Sequence, residues 1–194
     1  MLCGIFVGGL ATRMHGDAKG LLPAPDTREP LALRLARIAR ELGLTPVLVG
    51  QDARYHAALP GLSVVADQPS GVGPLGGLSG LLRAAEQEAS PARFVVALSC
   101  DLPLISRALI ERLGSHPSHA QVLAPRAADG PWEPLFARYD ARAVREPLAR
   151  ALALGRRSFQ RLFDDLTVEE LALSESERAQ LIDWDTPEDV KHKR

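Results

Sequence analysis

Arg13, Lys19, Asp67 and Asp101 are the side chains whose types and places along the chain suit chemistry, and that chemistry is the handling of phosphates. Arg13 and Lys19 lie on a glycine-rich stretch that opens with Gly8-Gly9 and closes with Lys19-Gly20, directly after an apolar run from Leu2 to Val7. Glycine lets backbone N–H groups approach a ligand closely, so a strand emptying into such a loop makes a cradle for phosphates. Lys19 is the only lysine before Lys191; every other cation in the body of the chain is arginine. A compact ammonium kept at this one place suits a phosphate oxygen that needs a flexible point charge. The bland alternative is a solvated surface loop.

Asp67 follows one short apolar run, and Asp101 follows another in Ser99-Cys100-Asp101-Leu102-Pro103. In an open α/β sheet, ligands bind beyond the carboxyl ends of the strands. Two carboxylates converging there with an arginine, a lysine and a glycine loop suit a nucleoside triphosphate with Mg²⁺. That cation is hard and is usually held by one or two carboxylates plus substrate phosphates. Both aspartates also have a reading as helix caps or turn formers. Gly71, Gly73 and Gly76 spell G-x-G-x-x-G, but the run belongs to the third unit, does not directly follow a strand and is stiffened by Pro74. Dinucleotide binding is therefore set aside. A Walker loop is absent as well, because Gly20-Leu21 follows Lys19 where serine or threonine would stand. Cys100 reads as a packed thiol, its pKa raised by the adjacent Asp101.

Elements that would position these residues can be read from hydrophobic period. Apolar runs predict strands at 2–7, 46–49, 63–66, 94–98 and 121–124, with others at 134–139 and 182–184. Leu31, Leu35, Ile38 and Leu42 predict a helix with Arg34, Arg37, Arg40 and Glu41 on its outer side and Gly43 as its stop. Further helices are expected at 54–59, from the second glycine turn through Leu78, Leu81, Leu82 and Ala85, at 106–113, at 142–154, and after Thr186-Pro187. Residues 156–182 are charged and mixed, and no element is assigned to them. Alternating strands and helices imply an α/β fold, Rossmann-like and three-layered, with a mostly parallel sheet in one domain spanning 1–194.

With 194 residues and a formal net charge of -1 without a basic block, a nucleic-acid partner is not expected. The sequence contains no apolar run long enough for a membrane span, and it lacks the features of a signal peptide. Two cysteines without a paired framework point to a reducing, cytoplasmic setting. Cys3 near the start of the first strand and Cys100 past the end of the fourth would lie roughly 16 Å apart along parallel strands, beyond disulfide reach. The five histidines show no metal-ligand spacing.

The motifs together resemble the molybdenum cofactor guanylyltransferases and the wider molybdopterin nucleotidyltransferases. The likeness rests on Gly8-Gly9, Arg13-Met14, Lys19-Gly20-Leu21-Leu22-Pro23, Asp67, Gly73-Pro74-Leu75-Gly76-Gly77, Cys100-Asp101-Leu102-Pro103, Glu133-Pro134-Leu135-Phe136, Gly155-Arg156-Arg157 and Thr186-Pro187-Glu188-Asp189. The resemblance implies transfer of GMP from GTP to the phosphate of molybdopterin, with release of pyrophosphate and dependence on Mg²⁺. It implies that the backbone of Phe6, Val7, Gly8 and Gly9 seats the nucleotide and that Arg13 and Lys19 neutralise the triphosphate. Asp67 would hold the nucleoside and Asp101 the Mg²⁺, with Arg156, Arg157, Asp183 and Asp185 on the acceptor side. Phe6-Val7 stand where the family has Leu-Ala, and Asp183 and Asp185 where it tends to carry asparagines. Pairing with Arg156 or Arg157, a second Mg²⁺, or a less anionic acceptor with donors of its own would balance those two carboxylates, the arginine pairing being the mildest assumption. The alternatives are a relative that uses CTP or another phosphorylated acceptor, and a nucleotide-binding protein without catalysis.

Overall fold

The computed structural model describes residues 1–7, 18–127 and 130–184. Its centre is a seven-stranded sheet in the order β3-β2-β1-β4-β6-β5-β7. Strand β1 (Leu2–Phe6) pairs in parallel with β2 (Thr45–Val49) and with β4 (Phe94–Ser99), and β2 pairs in parallel with β3 (Ser63–Val65). Beyond β4 the sheet turns mixed. Strand β6 (Phe136–Asp140) runs antiparallel to both β4 and β5 (Val122–Ala124), and β7 (Val168–Glu170) closes the far edge parallel to β5. The expected α/β class and mostly parallel sheet are found.

Strand alternation separates the two apolar layers. Cys3 and Ile5 of β1, with Val96 and Leu98 of β4, face α1 (Leu31–Glu41) and α4 (Arg107–Ser115). Leu2 and Phe6, with Val95 and Ala97, face α3 (Pro74–Glu86), α5 (Ala141–Ala153) and α6 (Phe159–Phe163). Each central strand is buried on both sides, which accounts for its continuous apolar run. Tyr55 on α2 (Ala53–Ala58) belongs to the first layer.

Helix α1 ends where expected: Gly43, at φ 71°, takes the left-handed conformation that stops it. Arg34 departs from the reading that placed it on the outer side. It is 8% exposed, and its guanidinium donates to the Ile105 carbonyl at 2.8 Å while pairing with Asp26. A buried guanidinium is tolerated there because it has partners. Inside α5, Pro147 cannot donate to the carbonyl of Ala143, and Gln121 Nε2 meets that oxygen at 3.1 Å instead.

Two further expectations are corrected. Residues 182–184 form no strand: the Trp184 N–H donates to the Asp101 carbonyl at 3.1 Å, and its ring is buried against Ala24 and Leu31. The final strand is β7, inside the stretch left unassigned. Its Glu169 and Glu170 are exposed at the sheet edge, where charge discourages pairing with another chain and breaks the apolar pattern of a strand. After β7, a short helix α7 (Glu175–Arg178) is opened by a capping box between Ser174 and Glu177. No helix among the described residues is long and apolar enough to cross a membrane.

Candidate functional site

Asp67 and Asp101 both stand past the carboxyl ends of parallel strands, β3 and β4. Strand β6 is antiparallel, so its N-terminal lead, Glu133 to Leu135, reaches the same edge of the sheet. Lys19 comes to this edge on a short 3-10 turn, Lys19–Leu21, that packs against α1. Strands β2 and β1 lie between β3 and β4, but Asp67 reaches back toward β1: the same point beside Gly77 is 3.3 Å from Asp67 Oδ1 and 2.9 Å from the Phe6 ring.

Asp101 meets Lys19. Lys19 Nζ is 3.0 Å from Asp101 Oδ2, with side-chain exposures of 17% and 14%. The Ser99 hydroxyl donates to the other oxygen, Oδ1. The backbone that carries Asp101 is tied on two sides, by Cys100 N–H to the Phe6 carbonyl at 3.2 Å and by Trp184 N–H to the Asp101 carbonyl. The Lys19 turn is tied too. Gly20 N–H donates to Tyr55 Oη at 2.8 Å, and a Cβ at Gly20 would stand 2.8 Å from the Tyr55 ring and 3.0 Å from Cys100 Cβ. Only glycine lets the turn sit this close. Cys100 is buried, and its thiol is pushed up to about 12, first by burial and then by the Asp101 charge. The expectation of a packed, unreactive thiol holds.

On the β3 side, Asp67 lies over the first turn of α3. A Cβ on Gly77 would come within 3.3 Å of Asp67 Oδ1 and 2.9 Å of the Phe6 ring. Burial raises the Asp67 carboxyl above its ordinary value. Gly71 and Gly73, at φ 74° and 76°, shape the turn that leads into α3, with Pro74 as its first residue. Phe6 and Val7 are buried; the Phe6 carbonyl is taken by Cys100 and the Val7 N–H donates to the Val49 carbonyl at 3.0 Å.

On the β6 side, a cavity of about 190 Å³ is lined by Ser99, Asp101, Leu102, Glu133, Leu181 and Asp183, among others. Burial, and next the charge of Asp183, raise the Glu133 carboxyl. Asp183 thus joins Asp101 at one pocket. The arginines proposed to balance it are engaged elsewhere. Arg156 pairs with Asp165 at 2.5 Å, and Arg157 donates to the Gly71 carbonyl at 2.7 Å. That second bond ties the α5–α6 turn to the glycine turn before α3. A larger cavity of about 710 Å³ lies at the opposite end of the sheet, around Arg93, Asp140 and Arg145, and none of the described predicted site residues lines it.

Gly8, Gly9 and Arg13 lie outside the described residues, as do Asp185 and the helix expected after Thr186. Ser99, Tyr55 and Trp184 were missed by sequence reasoning. Ser99 had a signal, a hydroxyl two residues before Asp101 at the end of a strand. Tyr55 had none beyond its rarity, since its partner is 35 residues away. Among the described residues no group of three or more His, Cys, Asp or Glu side chains is arranged to hold a metal ion. A lone carboxylate still fits Mg²⁺, which takes the rest of its oxygen ligands from phosphates and water.

A family model described as a MobA-like NTP transferase domain matches residues 3–170. A probable molybdenum cofactor guanylyltransferase of Opitutus terrae is 33% identical over 194 residues, covering 98% of this chain and 93% of the relative. A molybdenum cofactor guanylyltransferase of Pseudomonas putida is 34% identical, covering 95% of this chain and 92% of its own length. Among solved structures, the molybdopterin-guanine dinucleotide biosynthesis protein A of Archaeoglobus fulgidus superposes with a TM-score of 0.77 at 21% identity, over 100% of this chain and 96% of that one. At that identity the superposition speaks for the fold alone.

Proposed function

The chain belongs to the MobA-like NTP transferase domain family, and on that footing we propose that it moves GMP from GTP to the terminal phosphate of molybdopterin, with release of pyrophosphate, in molybdenum cofactor biosynthesis. The substrates are taken from the names of relatives more than 30% identical over nearly their whole length. The observation in the chain itself that supports the chemistry is the Lys19–Asp101 contact of 3.0 Å at the carboxyl ends of the sheet. One partner suits triphosphate oxygens and the other suits a divalent cation.

In this reaction an acceptor phosphate oxygen attacks the α-phosphorus of GTP, and the bond from that phosphorus to the leaving pyrophosphate breaks. Both reactants are anions, so the work is positioning and neutralisation of charge. Lys19 and Arg13 would meet the triphosphate, the backbone from Phe6 to Gly9 would seat it, and Asp67 would hold the nucleoside. Asp101 would hold Mg²⁺, which when bound supplies Lewis-acid neutralisation of the phosphate oxygens. The acceptor would be met by Arg156, Arg157, Asp183 and Asp185, of which Asp183 lines the pocket beside Glu133. Both cysteines are free and buried, which suits a reducing compartment, and the reading puts the enzyme in the cytoplasm.

The test is pyrophosphate release from GTP, CTP or ATP with Mg²⁺ and molybdopterin present. GTP should support release that requires molybdopterin, and Asp101→Asn should reduce it at least a hundredfold while the protein stays folded. Faster turnover with CTP would reassign the base. Tight nucleotide binding with no release from any triphosphate would make the chain a binding protein.

A further inference from the structure

We propose that Lys19 is the resident counter-ion of Asp101 and is exchanged for a divalent cation when the triphosphate binds, so that the site takes cation and triphosphate together in preference to either alone. The inference rests on the reading of the chain as a cation-dependent nucleotidyltransferase. Both oxygens of the Asp101 carboxylate are already engaged, Oδ2 by Lys19 Nζ at 3.0 Å and Oδ1 by the Ser99 hydroxyl. Ser99 is a positioning residue here: it fixes the rotation of the carboxylate, so that Oδ2 is the oxygen open to exchange. Lys19 and Asp101 are both largely buried, at 17% and 14% exposure. Separating a poorly solvated pair is costly when one charge is left without a replacement partner.

Each ligand alone meets that cost. A bare cation at Oδ2 would be set beside the ammonium it displaces, with like charges in contact. A bare triphosphate that drew Lys19 away would leave the Asp101 carboxylate uncompensated near added anions. The two ligands together replace both partners at once, the cation on Asp101 and a phosphate on Lys19. The coupling is reciprocal, each ligand improving the affinity of the other. The backbone ties described above, Gly20 to Tyr55 and Asp101 to Trp184, hold the two main-chain segments still. The exchange therefore needs only a swing of the lysine side chain.

The test is titration of the whole chain with Mn²⁺ alone, followed by electron paramagnetic resonance. Lys19→Met keeps the length of the side chain and removes its charge. It should bind Mn²⁺ at least tenfold more tightly than the parent, and Asp101→Asn added to it should abolish the gain. A Lys19→Met protein that binds Mn²⁺ no more tightly than the parent overturns the proposal. The chain has three lysines, Lys19, Lys191 and Lys193, so ammonium signals of ¹⁵N-lysine-labelled parent protein test it without any Lys19 variant. The Lys19 signal should be protected, insensitive to millimolar Mg²⁺, and shifted by Mg²⁺ with GTP. Release by Mg²⁺ alone, or no response to Mg²⁺ with GTP, also overturns it. Failure to transfer GMP to molybdopterin alongside the expected Mn²⁺ result would instead sink the function proposed above and leave the exchange standing.

Discussion

Lys19 meets Asp101 through a single nitrogen, on a turn held by Gly20 N–H to Tyr55 and with no room at Gly20 for even a methyl group. A guanidinium is planar, wider and forked, and it cannot occupy the same place without moving Asp101 or the turn. Lys19→Arg should therefore weaken binding of Mg²⁺ with GTP at least tenfold although the charge is conserved, as read by calorimetry. Parent-like affinity would refute the point-charge argument. Lys19 and Asp101 were legible because their types are unusual for their places, a lone lysine among arginines and an aspartate between a strand and a proline. Ser99 and Tyr55 were not legible as site residues, because a serine or a tyrosine acquires such a role only from what the fold puts next to it.

Helix α3 owes its place to small residues as much as to its leucines. A Cβ at Gly80 would stand 2.2 Å from the Ala66 carbonyl oxygen and 3.2 Å from Val65 Cγ1. On helix propensity alone, Gly80→Ala would gain about 1 kcal/mol. The clash is with backbone, which cannot rotate away, and overpacking of this kind costs about 1–3 kcal/mol. The substitution should therefore be net destabilising, with a lower urea midpoint and a weakened nucleotide site, because Asp67 follows Ala66 directly. A more stable Gly80→Ala would mean that α3 does not lie this close to β3. Strand β6, expected at 134–139, was legible in spite of two buried charges. Strand β6 buries Arg138 and Asp140 in its short run: Arg138 donates to the Gly114, His116 and Ser118 carbonyls, and Asp140 pairs with Arg93. Such charges weaken the strand period, but the run from Leu135 to Ala137 still carried it, whereas the exposed Glu169 and Glu170 left β7 unread.

Across the molecule, the two cysteines give a direct check on the layout. Cys3 and Cys100 are free and buried, and burial pushes each thiol up to about 12. Neither should react with Ellman's reagent in the folded protein at pH 8, and both should react on unfolding. Rapid labelling of native protein would contradict the placement of β1 and β4. A second check is acid stability. Glu177 bonds to Arg112 and accepts the Ser174 N–H, so it fastens α7 to α4. The arginine bond, first among the causes, lowers its carboxyl to about 2. A folded value below the unfolded one means stability that is present above about pH 4.3 and lost as pH falls toward 2. Glu177→Gln should unfold at lower temperature than the parent near neutral pH, and the two melting curves should converge at about pH 2. A gap that persists there would assign the effect to packing instead of charge.

Local chemistry in the chain was enough to establish the α/β class and the parallel first half of the sheet, and to single out Lys19 and Asp101, which the structure puts in contact. Each of these is written in short-range patterns: apolar runs of strand length, helical spacing, glycines at turns and rare residue types. Strand order is not written there. It puts β4 beside β1 and two strands away from β3, and the antiparallel β6 brings Glu133 to the edge of the sheet where Asp101 stands. Partners distant in the chain are not written there either. Lys19 meets Asp101 across 82 residues and Arg157 meets Gly71 across 86, contacts that exist only once the strands have paired. A residue's type limits what it can bond to, and the packing of the sheet and helices selects which of those partners it meets.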